Sequence, residues 1–129
     1  MNRDLYSVLT EWKGRIGRKP LILQGARQTG KTWLLRTFGE KEFRTVHYVN
    51  FENSARFSSL FSAGLQPRRI LAQLSAITEK DINPAVDLMF FDEVQQSAEA
   101  LTSLKYFREE LPELAMVAAG SHIGLTVTT

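Results

Sequence analysis

Two apolar patterns take turns along this chain: residues recurring at helical spacing, and short continuous runs. Leu5, Val8, Leu9 and Trp12 follow the 3.6-residue period and predict a helix over about Arg3–Lys13, ended by Gly14 and Gly17. After Pro20, Leu21–Gln24 reads as a first strand. A second helix begins near Lys31, carries Trp33, Leu34, Leu35 and Phe38, and stops around Gly39. Thr45–Phe51 is β-branched and aromatic, the mark of a second strand. Asn53–Ser62 and Pro67–Lys80 have the helical period, the latter through Ile70, Leu71, Leu74 and Ile77. Asn83-Pro84 marks a turn. Leu88–Phe91 is an unbroken apolar run, the signature of a strand buried on both faces. Ala98–Leu111 is helical by period and closed by Pro112, and Leu114–Ala119 is a further short buried strand. Strands alternating with helices predict right-handed crossovers and a mostly parallel sheet covered on both faces, an α/β fold.

The chemistry sits at the ends of these strands. Gly25-Ala26-Arg27-Gln28-Thr29-Gly30-Lys31-Thr32 reads G-x-x-x-x-G-K-T, a phosphate loop in the strand–loop–helix context the motif requires. Its glycines let successive backbone N–H groups face one anion, and the new helix points its positive end at the same place. Lys31 then reaches the β- and γ-phosphates, and the Thr32 hydroxyl ligates Mg²⁺. The apolar run 88–91 ends at Asp92-Glu93, where ligands of parallel sheets sit. Asp92 is placed to hold Mg²⁺, directly or through water, opposite Thr32, and Glu93 to polarise an attacking water as general base. A glutamate directly after the metal aspartate favours hydrolysis over phosphoryl transfer to a metabolite, whose own hydroxyl needs no water activator.

Other polar residues carry weaker signals. Ser121 follows the strand Leu114–Ala119 and Gly120, so it either touches the γ-phosphate or attacking water or merely makes a Gly-Ser turn. Gln95 and Gln96 read as turn residues, with sensing of nucleotide state as the alternative. His47 alternates with apolar neighbours and reads as structural, and His122, with no acid or second histidine near it in sequence, is not assigned to catalysis.

With 129 residues, 43 % hydrophobic and 23 % charged, the composition is that of one globular domain spanning 1–129. Formal net charge is +2, but Arg3, Lys13, Arg15, Arg18 and Lys19 crowd the N-terminal end. They read as a solvated helix face before a nucleic-acid contact. The absence of cysteine excludes disulfides and thiolate metal sites. No apolar run approaches a membrane span, and the N-terminus lacks the apolar core of a signal peptide, so a cytoplasmic location is expected.

Together, G-A-R-Q-T-G-K-T, F-F-D-E-V-Q and A-A-G-S-H resemble a group of bacterial and archaeal ATPases of the AAA+ superfamily, which couple an N-terminal ATPase domain to a C-terminal domain of unknown function. The resemblance implies a three-layer P-loop NTPase fold and ATP as the nucleotide. It implies phosphate and Mg²⁺ binding by Lys31 and Thr32, metal and water roles for Asp92 and Glu93, and a sensor position for Ser121. In such relatives a fifth strand, a helical lid and the arginines that complete catalysis follow the Gly-Ser. The expectation is therefore an incomplete ATPase core, truncated at its C-terminus, that self-associates or meets the downstream domain of its parent. The alternative function is a nucleotide-dependent interaction or nucleic-acid-binding module with negligible turnover; a small-molecule kinase is disfavoured by Glu93.

Overall fold

Why the run at 88–91 tolerates no polar residue follows from its place in the sheet. The computed structural model describes residues 3–24, 29–52 and 55–120. Its strands are β1 (Leu21–Gln24), β2 (Val46–Asn50), β3 (Leu88–Asp92) and β4 (Ala115–Gly120), all parallel, in the order β1-β4-β3-β2. β3 is therefore flanked by strands on both sides and covered by helices above and below, and all its residues are buried. β2 lies at one edge and alternates half-buried with buried positions. β1 pairs with β4 alone among the described residues.

The helices divide between the two faces. α1 (Arg3–Lys13) and α2 (Thr29–Glu42) cover one, where Leu9, Trp12, Leu35 and Phe38 pack on Leu88, Phe90 and Val117. α3 (Ala55–Ser62), α4 (Pro67–Thr78) and α5 (Ala98–Glu110) cover the other, where Phe61, Ile70, Leu74 and Phe107 meet Val49, Met89, Phe91 and Met116. Phe91 meets the rings of Phe51, Phe61 and Phe107 edge-on, with centroids 5.3–6.3 Å away. The result is the three-layer, mostly parallel α/β fold expected from the sequence. No helix among the described residues is long and apolar enough to cross a membrane.

Local chemistry sets most boundaries. Pro67 opens α4 at a position where its missing N–H costs nothing, and Ser97 caps α5 by accepting from the Ala100 N–H at 3.1 Å. The expected end of the second helix at Gly39 is corrected: α2 runs on to Glu42. Gly39 is a packing glycine, because a Cβ there would collide with Val46 Cγ2 and lie 2.9 Å from Leu88 Cδ2. Asn53, placed by sequence in the next helix, lies outside the described residues.

At the N-terminal ends of the strands, Asp87 is buried and draws together distant segments. Arg44 donates to both its carboxylate oxygens (2.9 and 2.7 Å), the Asn83 N–H donates at 2.8 Å, and His47 Nε2 lies 2.8 Å from Oδ2. His47 is thus structural, as its alternation on the strand suggested. Burial alone would raise the Asp87 carboxyl, but Arg44, the Asn83 N–H and His47 outweigh it and hold the group below the usual carboxylate range.

Candidate functional site

The parallel register aligns the C-terminal ends of all four strands. Gln24 pairs with Gly120, Phe91 with Ala118 and Asn50 with Asp92, so the turn after β3 faces both the end of β4 and the start of α2. This edge of a parallel sheet is where ligands bind. Gly25, Ala26, Arg27 and Gln28 lie outside the described residues, as does Ser121, which follows the last residue of β4. Thr29, Gly30, Lys31 and Thr32 form the first turn of α2.

Thr32 and Asp92, 60 residues apart in sequence, stand with Oγ1 and Oδ2 3.4 Å from each other. Asp92 is buried and held on three sides. Its own Oδ1 accepts the Glu93 N–H at 2.9 Å, and its Oδ2 accepts the Tyr48 hydroxyl at 2.6 Å. Asn50 Nδ2 donates in turn to the Tyr48 oxygen at 3.3 Å, and the Arg36 guanidinium lies 4.7 Å from the Tyr48 ring centroid. Burial first, then the hydrogen bond to Asp92, push the Tyr48 phenol well above its ordinary range, so this hydroxyl stays protonated and donates.

The chain leaves β3 through an unusual backbone. Glu93 adopts the left-handed conformation (φ 53°, ψ 43°), which costs a residue with a side chain on the order of 1 kcal/mol. The cost is offset by the fully buried Val94, which anchors a 3₁₀ turn over Val94–Gln96. The left-handed step turns the Glu93 carboxylate onto Gln95, whose Nε2 donates to Oε1 at 2.9 Å. Gln95 Oε1 lies against Gly120, where a Cβ would collide with it, and this buried oxygen has no hydrogen-bond partner among the described residues. Gln95 and Gln96 are turn residues, as expected, but Gln95 is also a contact of Glu93.

Tyr48, Asn50 and Arg36 were not singled out from sequence. Arg36 carried the one available signal, since it lies one turn after Thr32 and so on the same face of the helix that opens with the G-K-T of the sequence motif. Tyr48 and Asn50 depend on the register between β2 and β3, which a single sequence does not reveal.

A family model described as an AAA domain matches residues 17–128. The chain belongs to the AAA domain family. The matched span contains residues 25–32, Asp92 and Glu93, and family membership points to ATP as the ligand of this AAA domain. No curated protein matches the chain.

Proposed function

We propose that this AAA domain binds Mg-ATP at the C-terminal edge of its sheet and that its parent activity is ATP hydrolysis. The observation that carries the reading is the approach of Thr32 Oγ1 to Asp92 Oδ2. Two hard oxygen donors, one on the helix that follows the phosphate loop and one at the end of the central strand, stand 3.4 Å apart. That separation is long for a hydroxyl–carboxylate hydrogen bond, and both atoms are hard oxygen donors of the kind Mg²⁺ takes, so Thr32 and Asp92 would hold the ion when it is bound. No group of three or more acidic or histidine side chains lies together among the described residues. Mg²⁺ typically takes one or two protein oxygens and fills its remaining positions with phosphate and water, so Thr32 and Asp92 would be the protein's share. When bound, the ion would neutralise charge developing on the phosphates.

The chain's own residues supply the rest of the chemistry. Backbone N–H groups of Gly25–Gly30 cradle the phosphates, Lys31 donates to the β- and γ-oxygens, and the α2 dipole favours the same charge. Tyr48 fixes the rotamer of Asp92. Glu93 orients the attacking water and accepts its proton, and Ser121 contacts the γ-phosphate or that water. Residues 1–129 form the ATPase core in this reading, and the free side of β1 is the edge through which it meets another chain or a downstream segment.

One observation favours a slower, switch-like variant of the reading. Glu93 is buried, and its carboxylate accepts from Gln95 at Oε1, so in this reading Gln95 constrains how Glu93 turns toward the attacking water. Titration calorimetry with Mg-ATP on the wild type and Lys31→Ala tests the assignment. We expect the substitution to weaken binding at least tenfold, since hydrogen bonds to charged groups are worth about 1.5–3 kcal/mol each. Equal affinities would remove the phosphate loop from the mechanism.

A further inference from the structure

Lys13 and Arg18 come from one segment of the chain and Lys41 and Arg44 from another, but all four line one depression of about 450 Å³ at the N-terminal end of the strands, away from Thr32 and Asp92. Glu42 is the one carboxylate among the lining residues. Four cations against one carboxylate leave a local surplus larger than the +2 of the whole chain. Asp87 neutralises Arg44 from below through the bidentate pair. α1 and α2 both end here, and their negative dipole ends account for roughly half a charge each. Asp81 acts on Arg44 as well, so the excess of positive charge that remains is carried by Lys13, Arg18 and Lys41 together with the exposed Arg15 and Lys19 of the same loop.

Arg18 shows that this excess is not incidental to packing. Its Nη1 donates to the Lys13 carbonyl at 2.8 Å and its Nη2 to the Glu113 carbonyl at 3.0 Å, both neutral acceptors. Its ring-facing side lies over Trp12, 5.6 Å from guanidinium carbon to ring centroid, and its Nε is buried with no hydrogen-bond partner among the described residues. Burial therefore works against the charged form with no facing carboxylate to offset it. A cation held this way gains most from an anion brought in from outside.

The same loop extends the surface beyond the depression. Arg15 and Lys19 flank Arg18 in sequence and are exposed, and the loop is fixed to α1 by Trp12 Nε1, which donates to the Lys19 carbonyl at 2.7 Å. At its tip Ile16 is 99 % exposed, the highest exposure of any large apolar residue described. A single small anion would fill the depression and leave Arg15, Lys19 and Ile16 without a role. A chain of regularly spaced phosphates meets the outlying cations as well, and its bases or groove offer an apolar tip something to rest on.

We propose that this pole of the domain, built from Lys13, Arg18, Lys41 and the 14–19 loop, binds the phosphodiester backbone of nucleic acid. The surface is separate from the proposed ATP site, and the proposal does not depend on hydrolysis.

The test is fluorescence anisotropy of a labelled single strand and a labelled duplex, each about 20 nucleotides long, titrated with the full chain at low and moderate salt. Lys19→Glu/Lys41→Glu reverses two exposed cations at this pole, and Lys80→Glu/Lys105→Glu makes the same change in net charge with exposed lysines, one following α4 and one on α5. Melting temperatures check that both remain folded. The pole variant is expected to bind at least tenfold more weakly and to lose about one unit of salt slope per phosphate contact removed, with the control near wild type. Saturating Mg-ATP should leave wild-type binding intact. Absence of binding, equal losses in the two variants, or competition by ATP would each overturn the proposal. So would equal displacement by polyglutamate, which would reassign the pole to an acidic protein, or binding confined to anionic vesicles, which would reassign it to a membrane surface.

Discussion

The Tyr48 hydroxyl donates to Asp92 Oδ2 at 2.6 Å, reaching past its own register partner Phe90 to the next residue on the same face of β3. The oxygen it holds is the one that faces Thr32 Oγ1. A residue of the edge strand thereby controls the position of the carboxylate at the centre of the candidate site, and the energetic consequence can be measured.

Tyr48→Phe keeps the ring between Phe90 and Arg36 and removes this hydrogen bond together with the long one that Asn50 Nδ2 donates to the Tyr48 oxygen. We expect a loss of about 1–2 kcal/mol in urea denaturation at neutral pH, the scale of a hydrogen bond to a charged acceptor with partial exposure. The pH dependence has a definite sign. A phenol raised in the folded state contributes stability that is fully present below about pH 10, the unfolded value, and is lost as pH rises through the folded value. The difference between wild type and variant should accordingly shrink above pH 10. An unchanged neutral-pH midpoint would mean that the bond has no net worth.

Asp87→Asn should destabilise the domain by about 2 kcal/mol, because Arg44, His47 and the Asn83 N–H all lose a charged acceptor in a buried position. Here the folded carboxyl lies below its unfolded value near 3.9, so its contribution is present above that pH and disappears as pH falls through the folded value. The wild type should lose stability between pH 5 and the acid limit more steeply than the variant. Parallel acid profiles would show that Asp87 does not carry the acid sensitivity.

At Gly39 two effects compete. Alanine gains about 1 kcal/mol of helix propensity over glycine, but its methyl would collide with Val46 Cγ2, whose β-branched side chain has little freedom to move. Overpacking of this kind costs about 1–3 kcal/mol. Gly39→Ala should therefore lower the melting temperature, and a higher one would show that β2 yields easily.

Gly120→Ala is expected to push Gln95 off Glu93, since the new methyl would occupy the place of Gln95 Oε1. Under the proposed function, Glu93→Gln should keep Mg-ATP affinity and abolish turnover. Gly120→Ala should change turnover without changing affinity, measured by calorimetry and phosphate release. An affinity change equal to the turnover change would place Gln95 in nucleotide binding.

The periodicity of this chain determined its elements and their order, because a buried parallel strand and an amphipathic helix leave different spacings of apolar residues. Leu88–Phe91 and Leu21–Gln24 were legible for that reason, and the G-x-x-x-x-G-K-T pattern of residues 25–32 is a contiguous motif that sequence alone displays. Gly39 misled because a glycine that ends a helix and one that admits a neighbouring strand look alike in one dimension. What only the tertiary structure decided are relations between segments. The β2–β3 register brought Tyr48 and Asn50 to Asp92. The left-handed turn at Glu93 set its carboxylate on Gln95, and the ends of α1 and α2 brought Lys41 and Arg44 beside Arg18. Such contacts depend on strand order and register, which are fixed by the packing of the whole core and leave no local trace in the sequence.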